Sequence, residues 1–424
     1  MSDRVRDLAL EALRRVATQG AFASAVLRGA LEAERSFDER DRALATELVY
    51  GVLRRRGQLD RAISALGKRL KDLDPKIHDV LRLAAYQLLF LDRVPDHAAV
   101  NAAVDQARRR SGAKGAGQAN AILRKLAALP ADARLPAPPP LERDPVAHIA
   151  ERTSLPRPIV ERLIEDLGPE ATLAFGLASL ERAPLTLRVN PLRTTREALV
   201  EDVGGTPGEH PLIVRLPDRG GTLPSDFAAV VEGRATPQDE ASLRVVDLLD
   251  PQPGERVLDV CAAPGGKTTA IAERMGDRGE VVAGDRSSAK LELVAAAAKR
   301  LGLGSIRISE ALPPIEPAFD RVLVDAPCSG LGTLRRHPEI RWRLKLEDFI
   351  RLATLQREVL REGAARVRPG GVLVYSVCTI TREEGASRAG ELYGFDRVAE
   401  LRTGPEQPGS PDGFYAAKLI RRVP

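Results

Sequence analysis

Apolar residues in the first third of the chain recur every three or four positions. Val5, Leu8, Ala9, Ala12, Leu13 and Val16 form one series, Leu44, Leu48 and Val52 a second, and Ile77, Val80, Leu81, Ala84 and Leu88 a third. This is the spacing of one helix face, and it predicts several short amphipathic helices packed as an all-α bundle. Asp74 followed by Pro75 suits a helix start, a capping residue and then proline at the first helical position. Further helices are expected over 98–109 and 117–129.

The pattern breaks at 130–145, where six prolines each remove an amide donor and fix φ, so the stretch reads as a semi-rigid linker. Beyond it, 146–240 mixes helix-like segments with strand-like pieces at 185–190 and 212–216. From 241 onward, five apolar runs (256–260, 280–284, 305–308, 321–325 and 371–376) alternate with helical stretches at 267–275, 287–301 and 346–366. That alternation predicts a mostly parallel, doubly wound sheet with helices on both faces. The expected organisation is a helical domain at 1–130, a linker at 131–145, a small α/β subdomain at 146–240 and a Rossmann-like α/β domain at 241–424.

Composition narrows the class. Of 424 residues, 43% are hydrophobic and 29% charged, which excludes wholesale disorder and collagen-like sequence. No window approaches the ~20 uninterrupted apolar residues of a membrane span. The opening residues lack a signal-peptide core. Three cysteines are too few for a disulfide framework, so a reducing cytoplasm is the expected location. Charge is unevenly placed: residues 1–130 hold 24 Lys/Arg against 16 Asp/Glu, and the remainder is slightly acidic. A basic helical module suits a polyanionic partner, although an Arg-rich solvated surface explains the charge equally well.

Ligands of doubly wound sheets sit at the carboxyl ends of the strands, and the unusual residues follow the predicted runs. The first run ends in Cys261-Ala262-Ala263-Pro264-Gly265-Gly266-Lys267. This small-residue turn lets backbone approach a ligand and opens onto a helix N-terminus. It is not a Walker A loop, since Cys261 stands where that motif needs glycine, and it lacks the G-x-G-x-x-G spacing. Asp285 ends the second run, where an acid commonly holds a ribose diol. The same position serves nicotinamide enzymes and methyltransferases, and a helix cap explains a lone aspartate as well. Glu310, after the third run, is a candidate contact for an adenine amino group.

Cys328 and Cys378 each follow a predicted strand. A lone cysteine is usually a small hydrophobe, but two at one sheet edge are less bland. Their spacing, with no His pair or C-x-x-C, does not resemble a metal site, and a redox pair lacks the usual close spacing. A thiolate nucleophile near the cationic Lys267 is the best remaining role. Downstream of Cys328, Arg335, Arg336, Arg341 and Arg343 surround the only tryptophan, Trp342. Arginines for phosphates and a ring for stacking suit an RNA substrate, with core packing as the plainer explanation of Trp342.

The segments LDVCAAPGGKTT (258–269), VDAPCSGLGTLRRHPEIRW (324–342), VYSVCTITREE (374–384) and SPDGFYAAKLIRR (410–422) resemble the RNA 5-methylcytosine methyltransferases of the NOL1/NOP2/Sun type. Residues 1–130, notably 42–60 and 82–107, resemble the NusB-type RNA-binding domain. The pairing is similar to bacterial enzymes that methylate a cytosine in small-subunit (16S) ribosomal RNA. The resemblance implies an enzyme acting on RNA with S-adenosyl-L-methionine as cofactor; a monomer without a metal is expected. It implies Cys378 as nucleophile, Cys328 as the thiol that assists product release, and Asp325 as the acid that holds and protonates the base near N3, with Lys267 beside them. Cofactor contacts are implied for residues 261–267, Asp285, Glu310 and Asp325. Three departures stand out. Glu310 replaces the family's usual aspartate, Thr379 replaces serine after the nucleophile, and Gly385 replaces asparagine after Glu383-Glu384. A non-catalytic RNA-binding protein would be expected to lack the thiols. An amino-group methyltransferase would not carry Ala326-Pro327-Cys328 after its fourth strand.

Overall fold

A computed structural model describes residues 2–66, 70–217, 226–314, 318–404 and 410–423. The chain divides into two compact units. One takes in the described residues of 1–182 together with Leu334–Arg343; the other takes in those of 183–333 and 344–424. Among the described residues no helix is long and apolar enough to cross a membrane.

The first unit is helical: α1 (Ser2–Gln19), α2 (Ala23–Ala33), α3 (Glu39–Ser64), α4 (His78–Phe90), α5 (Asp96–Ala128), α6 (Pro145–Thr153), α7 (Arg157–Leu167) and α8 (Pro169–Ala178). Its core is aliphatic, with Val5, Leu48, Ile63, Leu81, Ala107 and Leu123 fully buried. α5 covers both helices expected at 98–129, and Ser111 and Gly112 (φ +66°) break its helical dihedrals between them. Asp74 does cap a turn: its carboxylate accepts from the Lys76 amide at 3.0 Å.

The proline-rich stretch is held against these helices. The Arg134 guanidinium donates to the Leu88 and Leu129 carbonyls and to the Asp96 carboxylate. The prolines also start helices, for Pro145 follows Asp144, whose carboxylate accepts from the Ala147 amide at 2.9 Å. Residues 146–182 group with the helical unit, so its boundary falls at Arg182 and not within the prolines.

The second unit opens with a small antiparallel sheet of order β2-β3-β1-β4, formed by β1 (Thr186–Val189), β2 (Thr206–Pro207), β3 (Ile213–Arg215) and β4 (Ala235–Pro237). The helices α9 (Arg196–Val203) and α10 (Ala228–Val231) complete it. There follow α11 (Glu240–Leu249), β5 (Arg256–Asp259), α12 (Gly266–Arg274), β6 (Glu280–Gly284), α13 (Ser288–Leu301), β7 (Ile306–Ser309) and β8 (Phe319–Asp325). The chain then enters the helical unit, where 334–343 includes the single turn α14 (Ile340–Arg343). It returns as α15 (Leu346–Ala364), β9 (Val367–Val377), α16 (Ala386–Ala389), β10 (Phe395–Thr403) and β11 (Phe414–Arg421).

Among the described residues the main sheet has the order β10-β11-β9-β8-β5-β6-β7. The five strands from β9 to β7 are parallel, as expected, and β11 and β10 add an antiparallel edge. Both faces are covered. Val257, Val281, Leu323 and Val374 pack with Val246 of α11 and Ile271 of α12, while their neighbours Leu258, Val282, Val322 and Leu373 pack with Val359 and Leu360 of α15. Two buried faces explain why these strands read as continuous apolar runs.

Candidate active site

The parallel strands β5, β8 and β9 are adjacent, with Asp325 in register with Ser376. Their carboxyl ends therefore bring together three turns far apart in sequence. The Cys328 and Cys378 sulfurs lie 3.3 Å apart, both half-buried. Lys267 Nζ donates to Asp325 Oδ2 at 2.6 Å and sits 4.9 Å from the centre of the Phe414 ring. Ser376 donates to the other Asp325 oxygen at 2.7 Å.

The electrostatics separate the three thiols. Burial pushes the Lys267 ammonium down, but Asp325, the Cys378 sulfur and Asp259 outweigh it, so Lys267 stays charged above its ordinary range. The Cys328 thiol is pushed well up, first by its hydrogen bond with Cys378, then by burial and by the nearby charges of Cys378 and Glu384. Burial and three aspartates (Asp259, Asp325, Asp285) also push Cys261 up, which disfavours its thiolate.

The turn at 261–267 is built as expected. Gly265 has φ +102°, and a Cβ there would lie 3.2 Å from the Val294 backbone, so only glycine fits. Asp285 follows β6, and its two oxygens accept from the Ser287 amide at 2.9 Å and the Ala263 amide at 3.4 Å. It thus links the residue that precedes α13 to the turn. Glu310 follows β7 and is exposed.

S-adenosylmethionine offers this edge an ammonium, a sulfonium and a ribose diol, all cationic or donating. The turn presents acceptors: Asp259, Asp285 and Asp325 surround Cys261, and Asp259 Oδ1 is a buried oxygen without a hydrogen-bond partner. The donor–acceptor chemistry matches.

Two supporting residues escaped the sequence reading. Arg188 of β1 donates to both Glu273 oxygens at 2.9 Å and to the Gly266 carbonyl at 2.7 Å, which fixes the start of α12 beneath Lys267. Glu384 is fully buried and accepts from Ser329, next to Cys328, and from Thr379, next to Cys378. A charged residue inside a short strand and one acid of a surface-like Arg-Glu-Glu run carry no sequence signal of burial.

The basic loop expected to face RNA lies elsewhere. Within the helical unit Arg335 and Arg341 are about 1% exposed or less, and Trp342 Nε1 donates to the Leu53 carbonyl at 2.6 Å. Arg341 donates to the carbonyls of Arg54, Thr153 and Ser179, and burial first, then Arg54 and Arg55, lowers its guanidinium to about 9. Arg335 and Arg341 are packing elements, and Trp342 is half-buried with its indole N–H held by that carbonyl.

Residues 246–403 match the family described as 16S rRNA methyltransferase RsmB/F, and residues 3–128 match the NusB family. A Synechocystis protein named "probable ribosomal RNA small subunit methyltransferase B" is 36% identical, the alignment covering 96% of this chain and 92% of that one. This chain belongs to the RsmB/F family. Another member, ribosomal RNA small subunit methyltransferase B of Vibrio cholerae, is 35% identical over 99% of this chain and 98% of its own. The crystal structure of PH0851 superimposes with a TM-score of 0.82 at 26% identity, covering 99% of this chain and 98% of the other. As an RsmB/F member the chain is an S-adenosylmethionine-dependent RNA methyltransferase, with a NusB-like helical domain ahead of a Rossmann-like methyltransferase domain.

Proposed function

We propose that this enzyme forms 5-methylcytosine in small-subunit ribosomal RNA, the substrate in its relatives' names, by covalent attack of Cys378. The observation that carries the reading is the pair of sulfurs 3.3 Å apart beside the Lys267–Asp325 ion pair.

Carbon 5 of cytosine is a weak nucleophile, so electron density must first be pushed into the ring. The Cys378 sulfur bonds to carbon 6, the ring π electrons move toward N3, and N3 gains the proton that Cys378 gives up. Asp325 would hold the N3 edge and relay that proton, with Lys267 and Ser376 keeping the carboxylate oriented. S-adenosylmethionine, when bound along 261–267 with Asp285, supplies an electrophilic methyl group; Glu310 is the further candidate for its adenine. Release requires the carbon-5 proton to leave as the carbon 6–sulfur bond breaks, and Cys328 is the base proposed for it. Its thiol is held protonated chiefly by Cys378. That influence fades once the Cys378 sulfur is bonded to carbon, and Cys328 can then ionise. The cytosine must be unstacked to expose carbon 6, and the basic helical domain would grip the surrounding backbone in a salt-dependent way.

The test uses 16S transcript, transfer RNA and S-adenosylmethionine. Cys328→Ala should accumulate an adduct on the 16S transcript that survives SDS, whereas Cys378→Ala should give neither adduct nor bisulfite-resistant cytosine. Full activity of Cys378→Ala would sink the mechanism, and methylation of transfer RNA alone would sink the substrate.

A further inference from the structure

We propose that Glu384 is a positioning residue of this reaction: its buried carboxylate ties the two thiol-bearing loops together and assigns the nucleophile's role to Cys378. The proposal rests on the mechanism above and deepens it.

Glu384 has no exposed surface. Its Oε1 accepts from the Ser329 amide at 2.7 Å and from Gln356 Nε2 at 3.1 Å. Its Oε2 accepts from the Ser329 hydroxyl at 2.6 Å and the Thr381 hydroxyl at 2.9 Å, with the Thr379 hydroxyl at 3.3 Å. The four lone-pair positions of an ionised carboxylate are thus filled by donors. A protonated carboxyl would turn its own O–H against one of them, so the site is built for the anion. Gln356 cannot flip to offer its oxygen instead, because the same Nε2 also donates to the Pro327 carbonyl at 3.0 Å.

The partners sit beside the reactive sulfurs. Pro327 and Ser329 flank Cys328, and Thr379 follows Cys378, with the Ser329 and Thr379 hydroxyls themselves 2.8 Å apart. One carboxylate therefore fixes the residues adjoining both thiols, and with them the 3.3 Å sulfur separation. Tyr375 adds a brace, its hydroxyl donating to the Glu384 carbonyl at 2.6 Å.

The carboxylate also biases the proton between the sulfurs. Cys328 is faced by the Cys378 sulfur, the Glu384 carboxylate, the Tyr375 phenol and the Gly330 amide, of which only the amide favours a thiolate. On the other side, the Lys267 ammonium interacts with Cys378. The anion opposes a thiolate at Cys328, while the cation lies on the Cys378 side.

The experiment compares the full-length parent with Glu384→Gln, Glu384→Asp and Ser329→Ala. Methyl transfer to 16S transcript is measured together with the pH dependence of iodoacetamide alkylation at Cys328 and Cys378, mapped by mass spectrometry. Glu384→Gln should lower kcat about 100-fold, the scale of a small misplacement of reacting groups, with KM for S-adenosylmethionine unchanged. Its Cys328 alkylation midpoint should move to lower pH, because the opposing anion is gone. Glu384→Asp keeps the charge but not the reach, so its Cys328 midpoint should stay while kcat falls. Should Glu384→Gln fail to fold, Ser329→Ala removes one donor only and should still lower kcat with KM unchanged. Parental kcat in Glu384→Gln, or in Ser329→Ala where that variant stands in, overturns the proposal. An unmoved Cys328 midpoint in a slowed Glu384→Gln overturns the proton assignment. Failure of the parent to form a Cys378 adduct strikes the underlying mechanism instead, so the two failures are told apart.

Discussion

Replacing Arg188 with methionine tests how the cofactor turn is held. Arg188 and Glu273 bury their side chains to 1% and 3% exposure and share two hydrogen bonds of 2.9 Å. Burial pushes the Glu273 carboxyl above its usual range despite the attraction of Arg188. Methionine would strand that carboxylate, and breaking a buried pair from one side costs about 3–5 kcal/mol. The same change removes the donors to the Gly266 carbonyl and the Thr269 hydroxyl. Local opening of α12 should therefore become more frequent by roughly two to four orders of magnitude. Intrinsic fluorescence is the wrong probe, since the only tryptophan lies in the helical unit. Amide exchange of peptides covering 266–274 reads the opening directly, with methyl transfer measured alongside. The double variant Arg188→Met/Glu273→Leu removes both charges and should recover most of the protection. Exchange within threefold of the parent in the single variant, or a double variant no better than the single, would refute the reasoning.

Asp259 yields a pH prediction. Burial pushes its carboxyl up to about 7 against the hydrogen bond from Thr268. The unfolded chain releases this proton near pH 4, so the associated stability is complete below that value and is lost as pH rises through about 7. Asp259→Asn cannot titrate and can still accept from Thr268, so its melting temperature relative to the parent should climb between pH 5 and 7.5; a constant difference would count against the assignment. Lys267→Met leaves Asp325 without its cation and should reduce kcat by about 10²–10⁴-fold, with Lys267→Arg recovering part; an undiminished rate in the methionine variant would exclude a catalytic part for Lys267. Diamide should oxidise the Cys328 and Cys378 thiols to one disulfide, itself taking up the two hydrogens. The thiol titre should fall from three to one, with activity lost until dithiothreitol is added. A titre that stays at three, or a bond that maps to Cys261, would contradict the 3.3 Å approach.

The parallel strands were readable in the residues because their two buried faces leave uninterrupted apolar runs such as Val322-Leu323-Val324. The edge strand β10 was not, for its sequence FDRVAELRT alternates charges with small or apolar residues and is mostly exposed. Cys328, Cys378, Lys267 and Asp325 were legible as motif residues at strand ends, but their convergence depends on the strand order, which no local pattern encodes. Glu384 and Arg188 were hidden for a different reason: a charged residue is read as solvated unless its partners are known, and partners such as Gln356 and Ser329 for Glu384 and Glu273 for Arg188 lie 28, 55 and 85 positions away. The 335–343 loop erred in the same direction, since basic side chains around a tryptophan suggest RNA whether they are exposed or, as here, donate to buried carbonyls.

The lodging of 334–343 among the helices bears on how such enzymes can be taken apart or recombined. A polypeptide starting at Ala183 would retain Arg341 and Trp342 but lack the Arg54, Thr153, Ser179 and Leu53 carbonyls that receive them. Exchanging amino-terminal halves between relatives thus calls for grafting this decapeptide as well, so that its donors keep their carbonyl acceptors.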